Sequence, residues 1–229
     1  MTDHAHDLGA VREATERLLD AVGELDNASV AKASRLPGWS RGHVLAHLSR
    51  NADAIGNVLR NRPMYASSET RDADIAAGAP RPAAEQLKDL RESADGLLAV
   101  AAETVDWSRT VTLRNGVTDS AGRVPFRRWV EVELHHVDLD IGYELEDLPA
   151  EFVSREIAFL ADRFSGNQDV PATALTDLDG RTWSTGGGPP RALVTVQGSA
   201  AELLGWLCGR RDGSALTVAG GPLPALPPL

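Results

Sequence analysis

The chain has 229 residues, with 33 acidic and 23 basic side chains, a net charge of −10 and an apolar fraction of 42%. That length and balance suit a globular protein of one large or two small domains. The acidity argues against nucleic acid or an anionic membrane surface as a partner, since both select for clustered Lys and Arg. One cysteine, Cys208, excludes an internal disulfide and a Cys-rich metal site.

The opening stretch "MTDHAHDLGAVREATERLL" is polar and acidic where a secretory leader is basic and then apolar, so the expected location is the cytoplasm. From about His6 to Leu25, the residues Leu8, Val11, Ala14, Leu18, Leu19 and Val22 recur at helical spacing. A second helix follows in "SRLPGWSRGHVLAHLSRNADAIGNVL", with Ser40 as its N-cap. A third opens after the Pro-containing start of "GAPRPAAEQLKDLRESADGLLAVAAE", and Leu87, Leu90, Ala94, Leu97 and Leu98 form its apolar stripe, too short a run to span a membrane. "TVTLRNGVTDSAGRVPF" then alternates apolar and polar residues around Asn115-Gly116, the pattern of a short hairpin or an extended excursion. The fourth helix begins after Pro125 and carries "RWVEVELHHVDLDIGYELED".

After Leu148-Pro149 the character changes. A helix from about Ala150 to Arg163 precedes two short strands around Asp179-Gly180, a further strand that leads into a helix, and an irregular Gly/Pro-rich tail, "AGGPLPALPPL". The expected fold class is therefore α+β, with a helical bundle over residues 1–148 and a small α+β domain over residues 149–229. Cys208 falls in the apolar helical pattern of the second part and reads as a small buried hydrophobe.

The chemistry gathers in two helices. Glu131 and His135 lie four residues apart, on one helix face, one above the other. Alone, such a pair is most often solvated. The second helix adds His43 and His47, also four apart, and either can face the pair across a bundle interior. Two imidazoles and one carboxylate leave a coordination position open, which is how catalytic zinc sites are composed. His136 adjoins His135, and Asp138, one turn on, reads equally as a carboxylate that orients an imidazole or as a surface charge.

These residues also carry a resemblance. Leu36-Pro37-Gly38-Trp39-Ser40 followed by "HVLAHL" resembles the entry to the metal-binding helix of DinB-like proteins, and "EVELHHVDL" resembles the fourth-helix metal motif of the mycothiol-dependent maleylpyruvate isomerases. "NRPMYASSETRDADIAAG" is similar to the loop of those isomerases that carries a substrate-binding arginine, and "GSAAELLGWLCGRRDGSAL" is similar to their small C-terminal domain. The resemblance implies a DinB-like four-helix bundle with zinc, or another divalent metal, on His47, Glu131 and His135, and a substrate carboxylate on Arg71. It implies mycothiol as a thiol cofactor and conversion of maleylpyruvate to fumarylpyruvate in gentisate breakdown. His136 need not be histidine in that family. Two other activities stay open: a metal- and mycothiol-dependent S-transferase, and a non-catalytic metal-binding or sensing module. The sequence does not give the oligomeric state, and a monomer is the working expectation.

Overall fold

The computed structural model describes residues 3–103, 105–187 and 193–228. It divides into two compact units, Met1–Tyr143 and Glu144–Leu229. In the first, helix α1 (His4–Gly23) starts where the Asp3 carboxylate accepts from the His6 backbone N–H, and a single turn, α2 (Asn27–Val30), follows it. The long α3 (Arg41–Leu59) starts at a reciprocal cap: Ser40 Oγ accepts from the His43 N–H, and His43 Nδ1 accepts from the Ser40 N–H. A histidine does here what Glu or Gln does in the usual capping box.

The segment that resembles a loop is in large part a helix, α4 (Ser68–Gly78), with Ser67 as its N-cap. Ile75 is its only large apolar side chain that is buried, so the stretch shows no apolar stripe to read. Helix α4 lies close on α3. A Cβ on Gly42 would stand 2.1 Å from the carbonyl oxygen of Ala79, just past the end of α4, and one on Gly78 would stand 2.8 Å from Ala46 Cβ.

Helix α5 (Ala83–Ala101) packs along α3, while α6 (Val124–Asp138) packs along α1 and crosses α3. Leu18, Leu45, Leu48, Leu90 and Val132 are completely buried in this interior, each worth about 1.5–3 kcal/mol of transfer free energy. Between α5 and α6 the chain takes the hairpin and not the extended excursion. Strands β1 (Thr110–Thr112) and β2 (Thr118–Ser120) pair antiparallel, and Asn115 and Gly116 both take positive φ at the turn. Helix α6 begins one residue before Pro125, which occupies the first turn, where its missing N–H has no helical partner to lose.

In the second unit α7 (Ala150–Phe164) buries Phe152, Ile157, Leu160 and Phe164 on one face. Strands β3 (Thr173–Asp177), β4 (Thr182–Thr185) and β5 (Val194–Gly198) lead to α8 (Ala200–Leu207) and β6 (Thr217–Ala219). The sheet order is β4-β3-β5-β6, and only the β3–β5 pairing is parallel. Asp177 closes the β3–β4 turn by accepting from the Asp179 and Arg181 N–H groups. The stretch read as an irregular tail begins within β6, because Ala219 pairs with Thr195. Cys208 is buried just after α8, and burial pushes its thiol pKa up. No described helix is long and apolar enough to cross a membrane.

Candidate metal centre

Helices α3 and α6 cross where His47 faces Glu131 and His135. His47 Nε2 lies 2.9 Å from Glu131 Oε2 and 3.1 Å from His135 Nε2, and His135 Nε2 lies 3.3 Å from the same carboxylate oxygen. Among the described residues these three form the one group of His, Cys, Asp or Glu whose donor atoms converge, all within 4.8 Å of one another. Zinc bonds of about 2.0–2.1 Å in a tetrahedron put neighbouring donors about 3.3 Å apart, so the triangle matches one face of such a site. The facing imidazole nitrogens make the same point. Only one proton can lie between them, whereas a cation satisfies both lone pairs, so the donor set fits a divalent ion.

The residues around the triangle fix its chemistry. His135 Nδ1 meets Asp138 Oδ2 at 2.8 Å, with the aspartate completely buried. That contact holds the proton on Nδ1 and leaves Nε2 as the lone-pair donor. Burial works to lower the His135 pKa, but the hydrogen bonds to Asp138 and Glu131 outweigh it and the net shift is upward. In His47 burial dominates and the shift is downward, with Glu131 opposing. Burial would raise Glu131, yet hydrogen bonds from His135 and His47 and their charges hold it well below the ordinary carboxyl value of 4.5.

Arg71, on α4, reaches this group. Its Nη2 lies 3.2 Å from His47 Nδ1, its Nη1 pairs with Asp72 at 2.7 Å, and its guanidinium carbon stands 5.8 Å from the Tyr65 ring centroid. Trp39 sets its ring edge against His47, with centroids 5.6 Å apart. The two alternative histidines lie elsewhere. His43 is taken up by the Ser40 cap, and His136 is buried in a stack on Tyr143 with centroids 4.1 Å apart. Asp138, ambiguous by sequence, is the buried carboxylate against His135.

Sequence reading passed over Arg128, which is almost fully buried and donates through Nη1 to the Leu48 carbonyl and to Asn51 Oδ1, tying α6 to α3 one turn before Glu131. Burial pushes its pKa down to about 10. The available signal was its position, three residues before Glu131 on the same face. Tyr65 and Trp39 stood within quoted motifs without a role, since nothing local predicts that a ring will turn toward a site formed by other helices.

Residues 11–140 match the family described as the mycothiol maleylpyruvate isomerase N-terminal domain, and residues 147–228 match the MDMPI C-terminal domain. The chain is similar to the crystal structure of the mycothiol-dependent maleylpyruvate isomerase, at 26% identity and a TM-score of 0.89, covering 99% of this chain and 97% of the other. It is similar also to a histidine-to-alanine mutant of a mycothiol-dependent maleylpyruvate isomerase, at 25% identity and a TM-score of 0.88 with the same coverage. No curated protein sequence matches it.

Proposed function

The chain belongs to the mycothiol maleylpyruvate isomerase family, and from that premise we propose that it converts maleylpyruvate to fumarylpyruvate with mycothiol, at zinc held by His47, Glu131 and His135, as a cytoplasmic step of gentisate breakdown. The observation that carries the reading is the convergence of three donors that leave a coordination position open, with the Arg71 guanidinium 3.2 Å from one of them. When bound, the ion supplies a charge that ionises a thiol at neutral pH, and the thiolate supplies the reversible addition by which a conjugated double bond becomes free to rotate.

The chain's own groups do the rest. Asp138 fixes the tautomer of His135, so that its Nε2 faces the open position. The buried face of His47 against Trp39 keeps bulk water from that imidazole. Arg71, paired here with the exposed Asp72, offers its planar fork to a substrate carboxylate that takes the place of that aspartate. The one internal thiol, Cys208, is buried in the other unit and its pKa is raised, which supports an external thiol.

The test is turnover of maleylpyruvate by zinc-loaded protein with and without mycothiol, with free thiol titrated throughout. Isomerisation that needs mycothiol and consumes none supports the reading. Stoichiometric loss of thiol would make the protein a transferase, and zinc binding without turnover would make it a binding module.

A further inference from the structure

A cleft of about 510 Å³ lies between the connection from α3 to α4 and the β1 strand with its following turn. Three arginines line it, Arg62, Arg109 and Arg114, and no Asp or Glu does. The chain as a whole has ten more acidic than basic residues (33 − 23), so this wall reverses the sign of the molecule. Arg109 is committed to structure: its Nη2 donates to the carbonyls of Val58 and Leu59, and its Nη1 to Asn61 Oδ1. Arg62 and Arg114 are exposed, and neither has a hydrogen-bond or ion-pair partner for its side chain among the described residues.

Tyr65 joins this cleft to the metal centre. It lines the cleft, while its other neighbour is Arg71, which reaches His47. Burial pushes the Tyr65 pKa up, and the charges of Arg71 and Arg114 both pull it back. Apolar side chains complete the lining, with Met64 and Leu113 packed onto the core cluster that includes Val58 and Val111. Two guanidiniums lining one cleft with apolar walls suit a carboxylate on a carbon chain better than a compact oxyanion, which finds no use for the apolar part.

We propose that the cleft is a second carboxylate subsite, in which Arg62 and Arg114 hold the far carboxylate of a dicarboxylate whose near carboxylate lies at Arg71. The isomerase reading enters only through what lies between the two carboxylates. The specificity that follows is for two anionic ends at a set separation, so the cleft selects substrate length while the metal centre acts on its middle.

The test reads binding apart from turnover. Calorimetry on the zinc-loaded wild type and an Arg62→Gln/Arg114→Gln double variant uses heptanedioate, heptanoate and inorganic phosphate as probes. Loss of two charge-assisted contacts, each weakened by solvent exposure, predicts heptanedioate binding weakened by about 10- to 100-fold, with heptanoate within about twofold of wild type and zinc content unchanged. Both arginines are exposed, so the double variant retains its core, and an Arg62→Lys/Arg114→Lys pair should recover part of the loss. Equal weakening of heptanedioate and heptanoate, or no weakening, overturns the proposal. Phosphate binding tighter than heptanedioate and lost in the same variant overturns it too, by making the site one for a compact oxyanion. The two readings fail separately. An enzyme inert toward maleylpyruvate that keeps arginine-dependent heptanedioate binding sinks the isomerase and supports the cleft, and an active enzyme whose KM is unchanged in the double variant does the reverse.

Discussion

In the proposed metal centre, His135 is the ligand whose proton matters near neutrality. Its pKa is raised above 6.5, so around pH 6.5 it holds a proton that a metal must displace, whereas His47, shifted the other way, is already neutral there. Zinc binding should release more protons at pH 6.5 than at a pH well above the raised His135 pKa, measurable by calorimetry in buffers of different ionisation enthalpy. Equal release at both pH values would contradict the assignment. Replacing Asp138 with Asn removes the anion that raises His135 and orients it. Zinc affinity at pH 7.5 should fall by about 10- to 100-fold, as read by competition with a chromogenic chelator, and the proton released at pH 6.5 should diminish. The Glu131 and His135 pair was legible in sequence, because a helix fixes the geometry of residues four apart. The choice between His43 and His47 was not. Both spacings are helical, and what separates them is a cap: Ser40 engages His43 at the first turn and leaves His47, one turn deeper, to face α6.

At the scale of elements, the position of Arg71 depends on how closely α4 lies on α3, and two glycines set that separation. A methyl group at Gly42 meets the Ala79 carbonyl, which is backbone and cannot turn aside. Gly42→Ala should destabilise the protein by about 1–3 kcal/mol through overpacking, seen as a lower urea midpoint at unchanged slope. Gly96 provides the contrast. It is an exposed position within α5 with nothing within 4 Å of an added Cβ, so Gly96→Ala should stabilise by about 0.5–1 kcal/mol. An unchanged midpoint for Gly42→Ala would mean that α3 does not carry the close contact with Ala79. The long helices α1, α3, α5, α6 and α7, the hairpin and the strands β3 to β5 follow from periodicity, caps and turn residues. Helix α4 and strand β6 do not. The first has one buried apolar anchor, and the second is three residues long beside Gly and Pro, so tertiary contact decides both where local pattern is silent.

For the whole molecule, a metal bound only by the folded state adds stability in proportion to its occupancy. At free zinc of 100 to 1,000 times Kd the gain is about 2.7–4.1 kcal/mol, which at about 2–4 °C per kcal/mol for a chain of this size is a rise in Tm of about 5–15 °C. Chelation should reverse it, and a His47→Ala protein should show no such difference. The larger consequence concerns time. Two donors sit on one helix, but the third is 84 residues away along the chain, so an opened chain keeps only the Glu131 and His135 pair. In the proposed site, departure of the ion would then be gated by separation of α3 from α6, which Arg128 resists through its bonds to Leu48 and Asn51. The rate of zinc loss should level off as chelator concentration rises, at a plateau equal to the rate at which those two helices part, so the ion becomes a stopwatch for the breathing of the bundle.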